Sequence, residues 1–132
     1  MSDDAVSLLA AADLRQLAQS RPAQPCPACA AIRAPGWEAL PGSLDRRQLR
    51  RTGTLRDPGV AEPPLDEYHP RGTHAWSPEA PIAPACFPYN RCEVWECARC
   101  GRPFLRYTEY GGYYVEERIR ELDAARVVDA RP

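Results

Sequence analysis

Two Cys-x-x-Cys pairs, Cys26 with Cys29 and Cys97 with Cys100, constrain this chain more than any other feature of its sequence. Two residues between cysteines let both sulfurs point at one centre while the intervening amides turn toward the thiolates, so each pair supplies half of a tetrahedral metal site. Residues 30 to 96 lie between the pairs, and a shared ion ties the two ends of the sequence together. One competing use is a redox couple, which needs a low-pKa thiol at a helix N-terminus within a thioredoxin-like pattern. No such strand-helix pattern precedes either pair. The other competing use is inert burial, but two ligand spacings in one chain argue against chance pairing.

Composition says why a metal is needed. Leu, Ile, Val and Phe make up 22 of the 132 residues, under the roughly 20% below which chains often stay disordered. Alanine supplies much of the remaining apolar fraction and buries little area per residue. Fifteen prolines restrict the unfolded chain but remove backbone donors, so loops are expected to dominate. A single domain over 1–132 is the expectation at this length. It divides into an N-terminal helical part (1–21), a first knuckle (22–36), a Pro/Arg-rich insertion (37–85), a second knuckle with a β-hairpin (86–122) and a tail (123–132).

Asp3 and Asp4 open the chain without a basic residue, and no run approaches the length of a membrane span, so a cytoplasmic protein is expected. There thiols stay reduced, which favours metal ligands over disulfides. The net charge is −1 and all 17 basic residues are arginine, a bias that fits a GC-rich, bacterial genome.

Val6, Leu9, Ala10, Leu14 and Leu17 recur at helical spacing and predict a helix over 3–19, stopped by Pro22. A second short helix is expected from Ser43 to Arg51, with Ser43 as cap and Gly53 beyond its end. Between residues 57 and 88, eight prolines interrupt every pattern, so this stretch is expected to cross the surface as loop. Glu93 to Glu96 read as a strand, and Pro103 to Tyr110 as a second one. Gly111-Gly112 offers a turn, after which 113–120 return as a strand in preference to a helix.

The second pair, Cys97-Ala98-Arg99-Cys100-Gly101 followed by Phe104 to Tyr107, resembles a zinc-ribbon knuckle of the rubredoxin type. In that class a glycine after the second cysteine leads into a strand. Cys26-Pro27-Ala28-Cys29 resembles the partner knuckle, with Ala30 where a glycine is usual. The resemblance implies a small α+β, metal-stabilised, zinc-ribbon-like fold with long Pro-rich loops and one structural zinc ion held by Cys26, Cys29, Cys97 and Cys100. Zinc is preferred over iron because its filled d shell suits a closed thiolate site with no redox task. A rubredoxin-like iron electron carrier is the alternative.

Cys86 and Cys92 remain, near His69 and His74, and form a weaker second metal candidate. Their ordinary role is burial for the cysteines and solvation for the histidines. A candidate binding surface comprises Arg46, Arg47, Arg50 and Arg51 with Arg106, Tyr107, Tyr110, Tyr113 and Tyr114, because arginine interleaved with aromatics can stack on bases or pack on a protein. Four thiolates leave a metal no open position, which disfavours catalysis, and no catalytic residue is assigned. The leading expectation is a protein-interaction or adaptor module, with Trp37, Trp76 and Trp95 as further anchors. The rival is a nucleic-acid-binding accessory protein.

Overall fold

A computed structural model describes residues 6 to 132. One helix, α1 (Ala11–Ser20), packs on a six-stranded sheet whose order is β1-β3-β4-β5-β6-β2. The strands are β1 (Ser7–Leu8), β2 (Glu38–Ala39), β3 (Leu49–Thr54), β4 (Glu93–Cys97), β5 (Pro103–Tyr110) and β6 (Val115–Glu121). All neighbours are antiparallel except β1, which runs parallel to β3.

The expected helix over 3–19 is corrected at its start. Residues 3 to 5 lie outside the described residues, Ser7 and Leu8 pair with Gly53 and Thr54, and the helix begins at Ala11. Asp13, in its first turn, accepts the Ala10 amide at 2.8 Å and sets that boundary. Gly53 makes the β1 contact possible, since a Cβ there would sit 2.7 Å from Leu9 Cδ1.

The expected helix from Ser43 to Arg51 is also corrected. A 3-10 turn at Arg46–Gln48, capped by the Asp45 carboxylate, gives way to β3. Cross-strand pairing decides the matter: Arg50 donates to Glu96 at 2.6 Å and Arg51 to Glu93 at 2.7 Å, so the arginines that suggested a helical face bind acids on β4.

Side chains alternate across the sheet, so each face meets its own core cluster. Val94, Leu105 and Tyr107 face α1 through Leu14, together with Trp37, Ile82 and Tyr89. On the other face Phe104 and Ile119 pack with Leu49, Cys29, Ile32 and Cys97. Among the described residues, 57 to 88 hold no helix or strand, but they do not merely cross the surface as expected. Ile82 and Ala83 are fully buried, and Ile82 forms a parallel bridge with Val127. Arg120 makes this burial tolerable. Its guanidinium, also fully buried, donates to the carbonyls of Pro35, Pro78 and Ala80 and to the Tyr89 hydroxyl, satisfying acceptors that proline-rich backbone leaves unpaired.

Candidate metal centre

Cys26 and Cys29 stand on a turn in which the Cys29 amide donates to the Cys26 carbonyl at 3.1 Å and the Ile32 amide to the Cys29 carbonyl at 3.0 Å. Cys97 ends β4, and Cys100 follows on a turn closed by the Gly101 amide on the Cys97 carbonyl at 2.8 Å. Gly101 has φ of +82°, a left-handed conformation that glycine adopts without a Cβ penalty. The two turns face each other across the end of the sheet.

All four sulfurs lie within 4.8 Å of one another, the one such ligand cluster among the described residues. The Cys26–Cys29, Cys26–Cys97 and Cys29–Cys100 separations are 3.8, 3.6 and 3.8 Å. A tetrahedron with metal–sulfur bonds of about 2.3 Å has edges of roughly 3.8 Å. The residues therefore fit a tetrathiolate metal site. Cys29 and Cys97 are buried and Cys26 and Cys100 half-buried, and none of the six cysteines is in a disulfide.

The sulfurs differ electrostatically. Burial pushes the Cys26 thiol up, but the Cys29 and Ala28 amides and the Cys97 and Cys100 thiols outweigh it and bring it down to about 6. Burial dominates at Cys29 and pushes it up to about 12. Burial also raises Cys97, against amide donation from Cys100 and Arg99. Amides aimed at sulfur favour the thiolate form that a metal requires.

Residues beyond the cysteines also build the site. Arg102, 6% exposed, donates to the Ile32 carbonyl at 3.4 Å, just after the first turn, and the carboxylate of Glu96, next to Cys97, is held by Arg50 at 2.6 Å and by Arg21, whose Nε lies 3.4 Å from its second oxygen. Cysteine spacing alone does not reveal them. The available signal is an arginine two positions after Cys100, just ahead of a strand whose alternation turns it inward.

The second candidate group is not gathered into a ligand cluster among the described residues. Cys92 donates to the Pro88 carbonyl at 3.3 Å and Cys86 to that of Ala130 at 3.8 Å. His69 bonds Thr73 and Glu67, each at 2.8 Å, and His74 is exposed.

The candidate binding surface is divided. Arg46 pairs with Glu117 at 2.6 Å, Arg47 with Asp45 at 3.1 Å, Arg50 with Glu96 and Arg51 with Glu93. Two members point inward. Arg106 is buried, its guanidinium 4.3 Å from the Trp95 ring centroid and 2.8 Å from Glu117. Tyr107 is buried edge-on against Trp37 at 4.7 Å. Trp37 is likewise in the core, donating to Tyr89 Oη at 3.2 Å, while half-exposed Trp76 stacks under Arg118. Tyr110, Tyr113 and Tyr114 stay exposed at the tip joining β5 to β6, next to exposed Val115.

Among the described residues no helix is long and apolar enough to cross a membrane. No protein-family model matches the chain, and no curated protein or solved structure matches it either.

Proposed function

We propose that the chain is a zinc-stabilised protein-interaction module, in which one structural ion joins the two cysteine turns and the β5–β6 tip supplies the contact surface. The observation that carries the metal half is the set of sulfur separations, which suits a closed four-thiolate site. Zinc is chosen over iron because nothing else in the site serves electron transfer and zinc fills a purely structural role. Such a protein belongs in a reducing compartment, the cytoplasm in this reading, where free thiols persist.

The interaction half rests on the tip. Tyr110, Tyr113, Tyr114 and Val115 are 75, 103, 53 and 66% exposed, an apolar cluster on a hairpin that the fold itself leaves uncovered. Tyrosine offers a large contact area with a polar end and few rotatable bonds, the profile of an interface anchor. Nucleic acid is the weaker reading because the arginines at 46, 47, 50 and 51 are already held by carboxylates.

The test compares wild type with a Tyr110→Ser, Tyr113→Ser, Tyr114→Ser variant in cross-linking from a photoreactive group at position 112. A discrete adduct lost in the variant, at unchanged melting temperature, supports the reading. An adduct pattern unaltered by the three substitutions contradicts it.

A further inference from the structure

Arg102 is a buried charge, 6% exposed, set among apolar neighbours. Its surroundings are Phe104, whose ring centroid lies 5.0 Å from the guanidinium carbon, and the cluster containing Ile32 and Ile119. Replacing a buried ion pair by apolar residues of similar volume is often neutral or stabilising, so packing does not explain an arginine there.

What the guanidinium touches does explain it. One terminal nitrogen donates to the Ile32 carbonyl at 3.4 Å, on the chain leaving the first cysteine turn. The other lies 2.8 Å from a Glu121 oxygen. The second Glu121 oxygen accepts the Ala34 amide at 2.8 Å, on that same segment. The Arg102 main chain meanwhile belongs to the second turn, its carbonyl accepting the Cys97 amide at 2.9 Å. One residue thus spans both halves of the ligand set without any ion.

We infer that Arg102 is the positioning residue of the metal centre. It straps the Cys26–Cys29 turn to the Cys97–Cys100 turn and sets a positive charge against the tetrathiolate. Four thiolates around a divalent ion carry a net charge of −2, which a half-buried site holds poorly without a nearby cation. Glu121 fixes the direction of the fork. The inference rests on the tetrathiolate reading above, and extends it from the ligands to the group that governs their affinity.

The experiment measures zinc affinity of the full-length chain by competition with a chromophoric chelator, for wild type, Arg102→Gln, Arg102→Lys and Leu14→Ala. It also records the cobalt-substituted absorption spectrum. Leu14 lies in the other core cluster, so its truncation reports the affinity lost through folding stability alone. Arg102→Gln is expected to weaken zinc binding by about 10–100-fold beyond the loss that its own drop in melting temperature accounts for. Its cobalt–thiolate spectrum stays tetrahedral. Arg102→Lys keeps the charge and loses the fork, so its loss is smaller but real, and it carries the test if Arg102→Gln does not fold. Wild-type affinity in either folded variant, or a loss no greater than Leu14→Ala gives at equal stability, overturns the inference. A wild-type chain that binds no metal overturns the tetrathiolate reading itself, a separate result.

Discussion

The sulfur of Cys26 lies 3.6 Å from the sulfur of Cys97, although the two residues are 71 positions apart in the chain. An ion bound at a thousand times its dissociation constant contributes about 4 kcal/mol to folding. Cys97→Ser is therefore expected to lose the zinc and about that much stability, measured by denaturant titration with and without a chelator. Equal curves for both proteins, in both conditions, contradict a structural ion.

Metal binding is expected to release protons. Cys26, brought down to about 6, is mostly thiolate at pH 7.5, whereas Cys29, pushed up to about 12, and Cys97, also raised, are protonated before the ion arrives. Zinc affinity accordingly falls as pH falls, because protons compete for these sulfurs. In the metal-free chain the signs divide. Cys26, lowered in the fold, adds stability as pH rises through 6 toward 9, and the raised Cys29 removes it above 9. Calorimetric titration in buffers of different ionisation enthalpy counts the protons, and a release near zero contradicts the assignment.

That the four cysteines gather could be read from the sequence because cysteine spacing is local chemistry, and the mixed α+β character because its patterns are local too. What escaped depends on distant partners. Arg46 to Arg51 look helical until Glu93 and Glu96 claim two of them for a strand. Ile82 looks like loop until Val127 bridges it. Nothing local in the sequence marks Arg118 and Arg120, yet in β6 they share the face of Leu105 and Tyr107, where one stacks on Trp76 and the other is fully buried.

Arg120→Met tests that buried charge. Methionine approximates the volume but leaves the Pro78 and Ala80 carbonyls without their donor, at a cost of roughly 3 kcal/mol. The proline-rich stretch is then expected to exchange its amide hydrogens faster while zinc content stays at wild-type level. Unchanged exchange and stability would mean that the loop is held elsewhere.

Leu14→Ala removes a fully buried side chain from the cluster on the helix side of the sheet. The expected loss is about 2–5 kcal/mol, read from the denaturation midpoint, with the metal-to-protein ratio unaltered in the folded protein. A loss under 1 kcal/mol would place α1 off the sheet.

A single zinc ion shared by two distant cysteine pairs is the staple proposed for this fold. Elemental mass spectrometry of natively purified protein, wild type beside Cys26→Ser, Cys29→Ser, tests it most directly. One zinc per wild-type chain and none in the variant is the expected result. Iron, no metal in the wild type, or one zinc retained by the variant would contradict the account.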